Sequence, residues 1–126
     1  MIKEIERPKI NFKFIINGND KFYFDKKNNE YFLINNNNNN IYYFNLIGNI
    51  HRIGKPAIEY FDGSKEWVIN GKIHRIDGPA YIQGNYIQFW INNVGYFRDK
   101  YYKFADKTNH LICKNCNKFC KQECFL

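Results

Sequence analysis

Two groups of residues could carry chemistry in this chain: four cysteines at its C-terminal end and two His-Arg pairs near its middle. Cys113, Cys116, Cys120 and Cys124 all fall just before the C-terminal Leu126. Cys113-Lys114-Asn115-Cys116 has the two-residue spacing used by thiolate zinc sites. Lys114, Lys118 and Lys121 would help keep such thiols ionised. The same spacings of three, four and four also place all four cysteines on one face of a helix, extended by Ile112 and Phe119. A continuous helix would hold Cys113 and Cys124 about 16 Å apart, too far for one tetrahedral ion. Three readings therefore stand. The segment folds back and binds zinc, or it is a helix with a docking stripe of reduced cysteines, or it forms disulfides within or between chains. Zinc comes first, because the charged N-terminus lacks the apolar stretch of a signal peptide and cytoplasmic synthesis keeps thiols reduced. Cys124 is third from the end, so it is not a prenylation box, which needs the cysteine fourth from the end.

His51-Arg52 recurs, one repeat later, as His74-Arg75. On a strand the two neighbours would face opposite sides, one toward the packed face and one away. Arg75 and Asp77 lie two apart and can pair across the Gly78-Pro79 turn, whereas Gly54 leaves Arg52 without an equivalent partner. The structural expectation is that these side chains cover aromatic rings and satisfy turn carbonyls in each unit. The functional alternative is a ladder of cations for phosphate or carboxylate groups. His110 stands alone, with no nucleophile motif to serve.

The elements that must position these residues are written in an internal repeat with a period of about 23 residues. Trp67-Val68-Ile69-Asn70-Gly71-Lys72-Ile73-His74-Arg75-Ile76-Asp77-Gly78-Pro79-Ala80 is echoed one period earlier by Phe44 and by Gly48 through Pro56 and Ala57. A degraded copy begins at Trp90, with Arg98 in register with Arg75, and a weaker echo sits at Phe14 to Asn19. Asp62-Gly63 and Asn70-Gly71 are favoured two-residue hairpin turns, and Gly78-Pro79 breaks the ladder. The N-terminal third repeats the plan, with Asn17-Gly18, Lys27-Asn28-Asn29 and the run Asn35 to Asn40 as turns between aromatic stretches. The expected fold is all-β, an antiparallel hairpin meander of eight or nine short strands. Residues 1–98 form the sheet and residues 99–126 a basic, Cys-rich appendage.

The motif Trp67-x-x-Asn70-Gly71-Lys72-x-His74-Arg75-x-Asp77-Gly78-Pro79-Ala80 resembles MORN-type repeats, over about residues 42–98. It looks closest to a variant common in giant DNA viruses and some phages. The resemblance implies an elongated, twisted β-sheet that serves as a scaffold or docking surface without catalysis of its own, in a protein of viral origin. Arg52 and Arg75 stand where ordinary MORN repeats have glycine after the histidine.

Composition supports strands over helices. Among the 126 residues are 18 Ile, 12 Phe and 10 Tyr but only 4 Leu and 3 Ala. Asn, Ile, Lys, Phe and Tyr together make up well over half of the chain, which reflects AT-rich codons. The net charge of +7 is uneven. From residue 98 on, Arg98, Lys100, Lys103, Lys107, Lys114, Lys118 and Lys121 face only three carboxylates. The excess makes this segment a candidate patch for nucleic acid or an acidic protein partner, and Tyr101, Tyr102 and Phe104 interleave with its lysines, which suits base stacking. No apolar run is long enough to span a membrane. There is no GxGxxG, GxxxxGK[ST], HExxH or GxSxG motif, so no enzyme and no small-molecule substrate are expected. The reading is a non-enzymatic scaffold for a protein partner or for self-association. The alternative is a nucleic-acid-binding accessory protein acting through the C-terminal segment.

Overall fold

Alternating aromatic side chains write the first strands. In Lys21-Phe22-Tyr23-Phe24-Asp25 and Glu30-Tyr31-Phe32-Leu33-Ile34, successive residues must point to opposite faces. The computed structural model describes residues 1–108. In it these stretches are β2 (Lys21–Asp25) and β3 (Glu30–Ile34), flanked by β1 (Ile2–Ile5) and β4 (Ile41–Phe44). The chain continues through β5 (Ile58–Glu59), β6 (Lys65–Glu66), β7 (Val68–Ile69), β8 (Lys72–Ile73), β9 (Tyr81–Gln83), β10 (Tyr86–Ile91) and β11 (Val94–Tyr96) to helix α1 (Arg98–Thr108). Nine strands form one antiparallel sheet in the order β1-β2-β3-β4-β5-β6-β9-β10-β11. The expected all-β architecture is present, with one short helix. The meander is not simple, however, because β7 and β8 leave it as a separate hairpin.

Register sorts the aromatics onto two faces. Phe22 pairs with Leu33 and Leu33 with Tyr42, while Tyr23 pairs with Phe32 and Phe32 with Tyr43. Phe22, Leu33 and Phe44 form the buried centre of the first face, with Leu33 wholly inaccessible. Ile10, Phe12, Phe14 and Ile16 pack over that centre from the segment between β1 and β2. This segment alternates like a strand, and its end was expected to echo the repeat. Instead it lies across the sheet outside the named strands. Its four apolar side chains are aimed at the aromatic cluster, and packing fixes it where ladder bonds do not. Lys13 N–H donates to the Gly48 carbonyl at 2.8 Å as the strap crosses the chain. Gly48 has φ +95°, and a Cβ there would overlap the Asn11 carbonyl, so only glycine allows the crossing.

A second cluster, Ala57, Ile58 and Val68, shares Tyr42 with the first and so joins the later strands to the aromatic half. The turns follow residue chemistry unevenly. Asn70-Gly71, at φ 48° and 80°, forms the expected two-residue turn, and Asn92-Asn93 forms another. Asp62-Gly63 does not. Tyr60 N–H bonds to the Ser64 carbonyl and Gly63 N–H to the Tyr60 carbonyl, making a longer loop in which only Gly63 has positive φ. Asp62 accepts from Ser64 N–H at 2.8 Å, which closes that loop from the side chain. Among the described residues no helix is long and apolar enough to cross a membrane.

Candidate functional site

The His-Arg pairs lie outside the named strands. The reason is a divergence of backbone bonds. His51 N–H donates to the Tyr43 carbonyl, but Arg52 N–H donates to Val68 in the β7–β8 hairpin. His74 likewise bonds to Trp67, and Arg75 to Trp90. Each His-Arg pair is therefore a branch point where the side hairpin is tied to the sheet. The two pairs differ in which member is buried: Arg52 lies buried beside a half-buried His51, whereas His74 lies buried beside a half-buried Arg75. The histidines act on the following hairpin. His51 Nδ1 accepts from Asn70 N–H at 2.9 Å, and His74 Nδ1 from Asn92 N–H at 3.0 Å.

Each arginine is stacked and then pinned. The Arg52 guanidinium lies 3.7 Å from the centre of the Tyr43 ring, and that of Arg75 lies 3.9 Å from Trp67. Arg52 Nη1 donates to the Pro56 carbonyl at 3.2 Å, and Arg75 Nη1 to the Pro79 carbonyl at 3.0 Å. Arg75 Nε pairs with Asp77 at 2.9 Å. Arg52 also has carboxylate partners, contrary to expectation. Glu30 sits at 3.1 Å from its Nε and Glu59 at 3.3 Å from its Nη1. The missing aspartate at position 54 is replaced from neighbouring strands, a source that spacing within one repeat does not reveal. A Cβ at Gly78 would come within 2.9 Å of the Arg75 guanidinium carbon, so any larger residue there would push the guanidinium aside.

Arg98, one period beyond Arg75, lies 5.4 Å from the centre of the Phe89 ring. Phe89, rather than Trp90, thus takes the place of Trp67. Hydrogen bonds agree. Ala57 N–H donates to Glu66 and Ala80 N–H to Gln88, while Gly71 N–H donates to Ile50 and Asn93 N–H to Ile73. The His-Arg side keeps the full period, from Ile50 to Ile73 and from Ala57 to Ala80. The hairpin side, from Glu66 to Gln88 and from Gly71 to Asn93, falls one position short, so Trp90 occupies the place of Val68. Trp90 instead lines an open cleft of about 470 Å³ with Tyr96, Phe97 and Arg98. Phe97 is 88% exposed. A second cleft, of about 590 Å³, runs between the β2–β3 loop and His51-Arg52-Ile53.

Helix α1 is fastened by Tyr101, whose side chain is completely buried against Phe89. Its hydroxyl accepts from Gly78 N–H at 3.1 Å and lies within donating distance of the Arg75 and Gly78 carbonyls. Burial pushes its pKa up to about 12. Burial also raises that of Tyr43, partly offset by the Arg52 charge. Tyr101 was expected only as a base-stacking ring among the lysines, and its complete burial removes it from that role. Tyr43, Glu30 and Glu59 were not singled out, because they come from other strands of the sheet. Lys100 and Lys103 are exposed on α1, and Lys107 lies within it. Cys113, Cys116, Cys120, Cys124, Lys114, Lys118 and Lys121 lie outside the described residues. Among the described residues no cluster of three His, Cys, Asp or Glu side chains could hold a metal. In comparisons with protein-family models, curated proteins and solved structures, the chain matches none.

Proposed function

We propose that this chain is a non-enzymatic scaffold of MORN-like repeats that mediates protein–protein interaction, self-association included. The observation that carries the reading is the recurrence of one clamp, a ring-stacked arginine bonded to a prolyl carbonyl, at Arg52 and again at Arg75. A guanidinium spent on a ring, a carbonyl and a carboxylate holds units together, and repeated positions of this kind serve stacking. The resemblance to the viral repeat variant extends the proposal to a viral protein. Zinc bound by Cys113, Cys116, Cys120 and Cys124 belongs to the same proposal, and native mass spectrometry without reductant tests it by the mass of the retained metal. The scaffold reading is tested by affinity capture with the full chain together with sedimentation across a concentration series. A chain that remains monomeric and captures no protein overturns it.

A second reading is favoured by the exposed Phe97 and Tyr102 close to Arg98, Lys100 and Lys103. Aromatic faces and cations of this kind bind single-stranded nucleic acid. Such binding would weaken steeply with added salt, and binding indifferent to salt would dispose of it.

A further inference from the structure

Arg98 is the third arginine in register, and the other two show what completes such a site. Arg52 and Arg75 each combine an aromatic ring, a carboxylate at Nε within 3.1 Å and a prolyl carbonyl at Nη1. Arg98 has the ring of Phe89 but neither an ion pair nor a hydrogen-bonded carbonyl among the described residues. The reason is topological. After Arg52 and Arg75 the chain turns at a proline into the next strand, whereas after Arg98 it enters α1. The guanidinium is left exposed beside the cleft lined by Trp90, Tyr96 and Phe97.

The missing partners have a counterpart at the other end of the sheet. Around Arg75 the carboxylate and the proline come from Asp77 and Pro79, two positions apart. Glu6-Arg7-Pro8 has the same spacing. It follows β1, an edge strand that pairs only with β2. Glu6 is exposed and forms no ion pair among the described residues. Arg98 follows β11, which is the opposite edge and pairs only with β10.

We propose that Arg98 receives the Glu6–Pro8 segment of a second copy of this chain, with Glu6 at its Nε and the Pro8 carbonyl at its Nη1. The proposal rests on the scaffold reading and specifies its self-associating contact. The two ends are different surfaces, so the contact is heterologous and propagates head to tail instead of closing as a symmetric dimer. Salt weakens it, because both charged side chains are exposed.

The test uses the full chain in sedimentation velocity over a concentration series. Arg98→Glu and Glu6→Arg should each weaken association at least about tenfold, and the double exchange should restore it. Arg98→Lys keeps the charge but not the forked geometry and should weaken association as well. A synthetic peptide of residues 1–9 should dissociate the wild-type assembly, and a peptide with Glu6 and Pro8 exchanged for Gln and Ala should not. Association that persists unchanged in both charge variants overturns this contact while leaving the scaffold reading standing. A chain that is monomeric throughout also overturns it, and the scaffold reading then depends on capture of another protein. Equal competition by an acidic peptide of unrelated sequence would assign the Arg98 site to a foreign acidic segment and overturn the second-copy assignment.

Discussion

The two halves of this sheet are held together by different physics. Strands β2, β3 and β4 are four or five residues long and are joined by a continuous aromatic cluster under the strap of residues 10–16. Phe12 touches the rings of Phe14, Phe22 and Phe44, each with centroids within 5.7 Å. From β5 to β8 the strands shrink to two residues each, and the buried centre is reduced to Ala57, Ile58 and Val68. Order there comes from single polar contacts made by the His-Arg pairs. A region built on burial spreads its stability over many atoms, whereas one built on clamps concentrates it in a few side chains.

The sharpest way to break this contrast is to attack each half at its own kind of site. Phe44→Ala removes a ring that contacts Phe12, Phe22 and Tyr31 and should cost about 3–5 kcal/mol in chemical denaturation. If it cost no more than a surface change, the aromatic half would not be the stable one. Next in size is the difference between two equivalent arginines. Arg52→Met leaves Glu30 and Glu59 without their cation and should cost about 3 kcal/mol, because the guanidinium is only 8% exposed. Arg75→Met breaks a pair whose aspartate is 80% exposed and should cost about 1 kcal/mol. Equal losses would show that the ring and prolyl carbonyl, common to both clamps, carry the energy and the carboxylates do not.

The smallest effect concerns the helix. Tyr101→Phe keeps the packing on Phe89 but strips the hydroxyl from the Arg75 to Gly78 turn, and should cost about 1 kcal/mol. Because burial raises the folded-state pKa of Tyr101 to about 12, its neutral form is the one the fold favours. Its contribution is present in full below the ordinary tyrosine value near pH 10 and is lost as pH rises through about 12. Thermal melts of the wild type should therefore fall over that interval more than those of Tyr101→Phe. Parallel curves would remove Tyr101 from the account.

Sequence made the strands legible wherever a two-residue period met a strong turn. Phe22 to Ile34, Asn70-Gly71 and the Arg75–Asp77 pair all read correctly from local pattern. It misled where the same local pattern serves two purposes. Ile10, Phe12, Phe14 and Ile16 alternate as strand residues do, yet a strap lying on a sheet needs the same alternation. Trp67 and Trp90 suggested a register that one missing position in the third hairpin shifts, so Phe89 becomes the stacked ring. The partners of Arg52 were invisible because Glu30 is far away in sequence and is brought close only by the pairing of β3 with β4. The hairpin at Asn70-Gly71 was expected, but its departure from the sheet escaped notice, since β7 and β8 have the same period as the strands they leave.

The asparagine run between β3 and β4 is anchored chiefly by its first and last members. Asn35 Oδ1 accepts from Asn37 and Asn38, Asn35 N–H reaches the Asn40 carbonyl, and Asp20 takes Asn36 N–H. Every side chain in the run is the same, so an added or deleted asparagine still presents a carboxamide at each anchoring position. The anchors are thus independent of alignment, so a change in the length of the run keeps a carboxamide at each anchor and costs little in closure entropy.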